Sequence, residues 1–212
     1  MNKKLLSLGL AFITGAGVFA QSEPSQPPAA DDKDTAGLLG KDYLAIGPIQ
    51  QDFRHSTSKD GWGAGIDLNL PTADNWDIGF NYGFERVADS PRITENTAGT
   101  SVTGYFKAAG VKPFADVDLG YLWHRTKPSD PTERYDRATY AVGTGFEAPI
   151  IDATAFVGRV AYNNEFRRGT RREFTYTAGL DQHFSDHVGG LVNVSFHENN
   201  STVYNVGLLF LF

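Results

Sequence analysis

Cysteine is absent from the sequence, which excludes a disulfide framework and any cysteine-ligated metal as the source of the fold's stability. Beyond the first 20 residues, no apolar run approaches the roughly 18 residues that a membrane-spanning helix requires. Basic residues are scarce as well, with 19 Lys and Arg against 25 Asp and Glu, which argues against nucleic acid as a partner. Any membrane crossing must therefore be made by strands.

The first 20 residues have the pattern of a secretory signal peptide. Lys3 and Lys4 precede an apolar run from Leu5 to Phe19, and Ala20 supplies the small residue that signal peptidase needs before the cut. We expect cleavage after Ala20, with a retained transmembrane helix as the alternative. Without this segment the chain keeps 17 basic and 25 acidic residues, a net charge of −8.

Residues 21–40 differ in composition from everything that follows. The segment is rich in proline and aspartate and holds few apolar side chains, so it cannot bury enough surface to order itself. We expect a disordered periplasmic linker here. The alternative is that Leu38 and Leu39 dock against the following domain, which spans 41–212.

Alternation of apolar and small or polar residues dominates the rest of the chain. Trp76, Ile78 and Phe80 point one way in a strand, while Asp77 and Gly79 point the other. The same period of two predicts ten strands. Their expected ranges are 42–54, 60–70, 76–86, 100–109, 113–125, 138–148, 153–164, 172–184, 188–198 and 202–212. The first is the least regular, because it contains Pro48.

The last strand alternates without interruption and ends on an aromatic residue. Tyr204, Val206, Leu208, Phe210 and Phe212 share one face. Here the sequence resembles the bacterial outer-membrane β-barrel proteins, whose final strand typically ends in Phe. The resemblance implies an all-β fold, a closed antiparallel up-and-down transmembrane barrel of about ten strands, with eight as the alternative. It also implies that the protein is a monomer in a Gram-negative outer membrane, surrounded by outer-membrane lipids. The resemblance makes Tyr204, Phe210 and Phe212 the signal that the barrel-assembly machinery reads.

The connections between the predicted strands alternate in length. Short ones are expected at 71–75, 109–112, 149–152 and 185–187, and longer polar ones at 87–99, 125–137 and 165–171. Barrels of this class have short periplasmic turns and longer extracellular loops, so this pattern predicts a periplasmic N-terminus. A soluble two-sheet sandwich is the alternative, although its surface would carry unusually few charges.

Basic residues gather in the predicted outer loops. Guanidinium groups pair with phosphate oxygens in a bidentate way, so these residues predict an outer rim that contacts lipopolysaccharide. An ordinary solvated surface is the alternative. The rim comprises Arg125, Arg134, Arg137, Arg167, Arg168, Arg171 and Arg172.

Acidic residues gather on the predicted inner face, towards the periplasmic half. The acids are Asp67, Asp77, Asp116, Asp118, Glu147 and Asp181, and the inward bases are Lys107 and Arg159. Because a buried charge needs a partner, one hypothesis is a core of ion pairs around Arg159 and Lys107. The other is a hydrated vestibule that attracts cations.

Two enzyme families offer partial resemblances. Asp116-Val-Asp118 and Asp181-Gln-His183 resemble the acidic and Asp-His pairs of the omptin proteases, but they fall near periplasmic turns, whereas the omptin site opens outwards. Ser195-Phe-His197 resembles the lipid A deacylases, but with Ser and His in reversed order. We therefore expect no enzyme, no catalytic residue, no cofactor and no metal site.

The sequence thus predicts a structural outer-membrane barrel, with or without a narrow passive pore. A surface-recognition barrel that acts through its extracellular loops is the alternative function, and a barrel hydrolase is a more remote one.

Overall fold

Ten antiparallel strands close into a single barrel. The computed structural model describes residues 36–53, 60–87, 93–126, 136–166 and 172–212. The strands are β1 Tyr43–Phe53, β2 Gly61–Ala73, β3 Trp76–Val87, β4 Ile93–Tyr105, β5 Lys112–Thr126, β6 Asp136–Ile151, β7 Thr154–Glu165, β8 Glu173–His183, β9 Val188–His197 and β10 Ser201–Leu211. Each strand pairs with its neighbours in sequence, and β1 pairs with β10. The predicted ten-stranded barrel is confirmed, and the eight-stranded alternative is wrong.

No helix in the described ranges is both long and apolar enough to cross a membrane.

The two faces of the wall differ in chemistry as the alternation predicts. On β3, Phe80 and Tyr82 are 48% and 44% exposed on the outside, whereas Asp77 is 1% exposed on the inside. The same contrast recurs around the barrel, with Leu119, Val142 and similar side chains exposed outside. An apolar outer band around a polar interior is the arrangement that a lipid environment favours. A soluble sandwich would bury the apolar face instead.

The β1–β10 seam closes the barrel despite Pro48. The register is the same on either side of the proline, with Ile46 opposite Leu208 and Ile49 opposite Asn205, but no pairs form at Gly47 and Pro48. Proline has no N–H to donate to the neighbouring strand. On its other side β1 pairs continuously with β2 from Tyr43 to Gln51. The irregular first strand is therefore part of the wall.

The position of β4 differs from the prediction. It covers Ile93–Tyr105 rather than 100–109, so the connection before it is shorter than expected. The stretch from Thr94 to Thr97 is polar on both faces, and it therefore carries no hydrophobic alternation to detect.

After β4 the chain turns through Ala109 and Gly110, whose φ angles are 49° and 83°. Two successive residues with positive φ form the turn type that suits a two-residue hairpin.

The short turns lie at one end of the barrel, where β1 begins and β10 ends. They comprise 74–75, 106–111, 152–153 and 184–187. We call this the periplasmic end, from the expected topology, and the opposite end the outer end. Residues 36–42 also lie here, with Leu38 and Leu39 only 9% and 7% exposed. The predicted linker therefore ends earlier than expected, because 36–40 pack against the barrel. Residues 21–35 lie outside the described ranges.

Candidate functional site

The segment 36–41 lies in the periplasmic mouth of the barrel, and we call it the plug. Ala36, Leu38 and Leu39 are all buried, although the plug is not part of any strand. Glu147 on β6 accepts hydrogen bonds from the backbone N–H groups of Leu38 at 2.6 Å and Leu39 at 3.1 Å, both to Oε2. A carboxylate that receives two backbone donors makes charge-assisted bonds, which are stronger than bonds between neutral groups.

Lys112 at the start of β5 is the positive partner of this carboxylate. Its Nζ lies 3.1 Å from Glu147 Oε1 and donates to the carbonyl of Leu39 at 2.8 Å. Lys112 thus holds the plug directly and also neutralises the group that holds it. The pair is almost fully buried, with the two side chains 9% and 2% exposed.

Lys107, the base expected on the inner face, does not occupy this position. It lies beyond the end of β4 and is exposed. The alternation of β5 contained the information needed to find Lys112, since an even-numbered residue there shares the face of Asp116 and Asp118. Lys112 falls just before the predicted strand 113–125, in the expected turn, so it was not among the predicted inward bases.

A second polar pair holds the C-terminal half of the plug. Asp77 on β3 accepts the N–H of Gly40 at 3.0 Å. Asn69 on β2 donates to Asp77 at 3.1 Å and to the carbonyl of Lys41 at 3.0 Å. Plug backbone groups are therefore bound by side chains from β2, β3, β5 and β6.

Apolar contacts fix the two leucine side chains of the plug. Leu38 packs in a cluster with Tyr43, Ala45, Leu191, Leu209 and Leu211. Leu39 packs in a second cluster with Tyr105 and Phe114, bordered by Val157. Together with the polar contacts, these clusters connect the plug to nearly every strand of the wall. The plug therefore spans the mouth rather than lining one side of it.

Two glycines allow the plug to take this path. Gly37 and Gly40 have φ angles of 117° and 82°, which side-chain-bearing residues rarely adopt. A Cβ at position 37 would collide with the Glu147 carboxylate, and one at position 40 would lie 2.5 Å from the Tyr105 hydroxyl. Backbone and side chains thus both require glycine at these positions.

Further up the lumen, Arg159 on β7 pairs with two acids of β5. Its Nη2 atom donates to Asp116 and lies 2.6 Å from Asp118 Oδ2. Both pairs run along the wall and pass over β6, so they do not cross the lumen. Beside them is a cavity of about 30 Å³, a volume on the scale of a water molecule. Its lining includes Asn81, Thr97, Asp118, Thr139, Arg159 and Asn163.

Two of the predicted lumen acids lie deep in the wall near the plug. Asp67 on β2 and Asp181 on β8 are 8% and 3% exposed. One oxygen of each, Oδ1 of Asp67 and Oδ2 of Asp181, has no hydrogen-bond partner among the described residues. Acids therefore outnumber bases in this half of the described lumen.

The outer half of the lumen holds charged pairs that the sequence analysis did not predict. Arg137, assigned to the outer rim, faces inwards and bonds Glu165. His197 Nδ1 lies 2.7 Å from Glu173 Oε1. These groups follow the inward period of their strands, but only the position of each strand relative to its neighbours brings them together.

Of the remaining rim residues, Arg172 is described and exposed. Arg134, Arg167, Arg168 and Arg171 lie outside the described residues, as does the side chain of Arg125.

The two enzyme resemblances are not supported by side-chain geometry. Ser195 Oγ bonds Thr177 Oγ1 at 2.8 Å, whereas His197 bonds Glu173 and Thr175. Asp116 and Asp118 pair with Arg159. Within the described part of the chain, no group of three or more His, Asp or Glu side chains is arranged to hold a metal ion.

Comparison with known proteins gives structural matches alone. No protein-family model and no curated protein matches the chain. The β domain of the Bordetella autotransporter BrkA matches 82% of this chain and 100% of its own, with a TM-score of 0.51 and 11% identity. Neisserial surface protein A matches 82% of this chain and 97% of its own, with a TM-score of 0.45 and 14% identity. OprG from Pseudomonas aeruginosa matches 84% of this chain and 99% of its own, with a TM-score of 0.44 and 13% identity. The ten-stranded closed barrel and the match to the BrkA β domain show the fold of the bacterial outer-membrane β-barrels.

Proposed function

We propose that the protein is a structural outer-membrane barrel, without enzymatic activity, whose lumen is closed at the periplasmic end. The observation that carries this proposal is the plug in the periplasmic mouth. A passive pore needs a continuous aqueous path, and the plug takes up the place where that path would leave the barrel.

The way in which the plug is held supports closure as the resting state. Four charged or amide side chains bind its backbone, and two apolar clusters bind its leucines. A buried carboxylate such as Glu147 would be costly without its backbone donors and Lys112. Removal of the plug would therefore leave polar groups unsatisfied, which favours the bound state.

The outer surface supports residence in a Gram-negative outer membrane. Large apolar side chains such as Phe80, Leu119 and Val142 are 48%, 49% and 50% exposed on the outside of the wall. Lipid tails would cover this band, whereas water would make it an aggregation surface.

A second role for the protein is contact between the outer end of the barrel and the phosphates of lipopolysaccharide. The arrangement of one cation and one aromatic ring at this end favours it. The guanidinium of Arg86 lies over the Trp62 ring, 5.7 Å from its centroid, and both residues are exposed at the outer end. An aromatic ring and a cation side by side match a membrane interface, where apolar tails meet phosphates.

Planar-bilayer recording of the refolded full-length protein tests closure. Folding is first verified by the shift in electrophoretic mobility on heating. A closed barrel carries no steady current, while a porin in the same bilayer serves as the conducting control. Steady current from folded, full-length protein would contradict the proposal.

A further inference from the structure

We infer that the plug is an internal strut, and that it locks the β1–β10 seam against the opposite wall of the barrel. The inference does not depend on whether the barrel conducts, so it goes beyond the proposed function. Three features support it: an interruption in the seam, the position of Leu38 on the inner face of that seam, and the attachment of the plug to the far side of the lumen.

The seam is a weak point of the wall. It joins the first strand of the barrel to the last, so its formation closes the longest loop and carries the largest loop-closure entropy. Pairing with β10 is also broken at Gly47 and Pro48, which leaves a periplasmic block of four pairs, in which Tyr43–Ile46 pair with Leu208–Leu211. A short block of pairs opens locally more readily than the middle of a continuous sheet.

Leu38 covers the inner face of this periplasmic block. The inward side chains of the block form two pairs directly across the seam, Tyr43 with Leu211 and Ala45 with Leu209. All four are buried, and Leu38 belongs to the same apolar cluster. Separation of β1 from β10 at this point would expose the cluster to water. Burial of Leu38 between the two strands therefore favours the closed seam.

The other side of the plug is attached to the wall that faces the seam. In the closed order of ten strands, β5 and β6 lie farthest from the point where β1 meets β10. Lys112 and Glu147 are directly opposite each other on this strand pair, and both bind the plug backbone. Glu147 accepts the N–H of Leu38, the residue whose side chain packs at the seam. The plug thus connects the seam to the opposite wall across the lumen.

The test compares two leucine truncations in the plug. Leu38→Ala removes the side chain that packs at the seam, whereas Leu39→Ala removes one that packs with Tyr105 and Phe114 on β4 and β5. The two leucines are a matched pair, at 9% and 7% exposed. Backbone hydrogen exchange of the folded full-length protein in lipid nanodiscs, followed by mass spectrometry, measures local opening.

We expect exchange in Tyr43–Ile46 and Leu208–Leu211 to be at least about tenfold faster in Leu38→Ala than in the natural chain. In Leu39→Ala the same segments should stay within about twofold of the natural rate, as should β8 in both variants, because β8 lies on neither side of the seam. Leu38→Val removes less of the side chain and should give the same pattern at roughly fourfold. This milder variant serves if Leu38→Ala assembles poorly.

A disulfide across the seam should take the place of the strut, and the natural absence of cysteine leaves no competing thiol. Ile46 and Leu208 are directly opposite on the outer face, within the range that a disulfide spans. The oxidised pair Ile46→Cys and Leu208→Cys should hold seam exchange in Leu38→Ala within about twofold of the same protein with its leucine intact. Leu180→Cys with Val192→Cys, directly opposite on β8 and β9, is the control disulfide and should leave the fast exchange unchanged.

Several outcomes would overturn the strut. These are unchanged seam exchange in Leu38→Ala, an equal increase in Leu39→Ala or in β8, and fast exchange that persists when the seam disulfide is formed. The closed structural barrel is tested separately by the bilayer recordings. Steady current from the natural chain would contradict closure and leave the strut in place, whereas a silent natural chain with an unaffected seam would contradict the strut alone.

Discussion

Arg159 on β7 forms an ion pair with Asp116 on β5, two strands away. The intervening strand β6 carries Gly143 between them, at a point where a Cβ would collide with the Asp116 carboxylate and lie 2.9 Å from Arg159 Nε. The missing side chain on the middle strand thus makes room for the contact between the outer two.

Gly143→Ala should therefore destabilise the barrel by about 1 to 3 kcal/mol, the usual cost of forcing an extra group into a packed interior. Urea unfolding in liposomes gives the free energy. Gly65→Ala is the control, because its Cβ would first meet Ile49 Cδ1 at 3.1 Å, and the end of a flexible side chain can move aside. Equal losses at the two positions would mean that Gly143 has no special relation to the ion pair.

Arg159→Met should cost more, about 3 to 5 kcal/mol, since it leaves the buried Asp116 and the half-buried Asp118 without their base. Adding Asp116→Asn and Asp118→Asn should recover most of this loss by removing the uncompensated charges. The measurement is again urea unfolding in liposomes. A small loss for Arg159→Met alone would favour the hydrated vestibule, in which water screens the acids.

The depth of a position in the outer apolar band should determine how well it tolerates charge. Phe80→Arg, on the lipid-facing side of β3, should cost about 2 to 4 kcal/mol, and Ile150→Arg, beside the periplasmic turn of β6, roughly 0 to 1 kcal/mol. The two positions can be compared because both natural side chains are apolar and exposed, Phe80 at 48% and Ile150 at 59%. Folding yields and unfolding free energies in bilayers measure the difference. Equal penalties would contradict the assigned position of the lipid.

The existence of the strands and the facing of their side chains were predictable because a half-buried strand alternates with a period of two, and most of the strands retain that alternation. Its loss in the polar stretch from Thr94 to Thr97 explains the misplaced start of β4. The inward acids followed from the same period. The plug could not be predicted from this period, since residues 36–41 do not alternate. Its binding depends on four side chains that come together only when the barrel closes, Asn69, Asp77, Lys112 and Glu147.

The last prediction concerns Phe212, which is 76% exposed and whose N–H donates to the Asp42 carbonyl at 3.2 Å. Phe212→Asp should leave export intact but slow assembly, so that unfolded chain accumulates before insertion, because the terminal aromatic belongs to the expected assembly signal. Phe184→Asp is the matched control, an aromatic 65% exposed at a turn of the same end, and it should assemble at the natural rate. Pulse-labelling with heat-modifiable mobility as the readout follows folding over time. If both variants slow assembly alike, the effect reflects the loss of an interfacial aromatic; if neither does, Phe212 is not read during assembly.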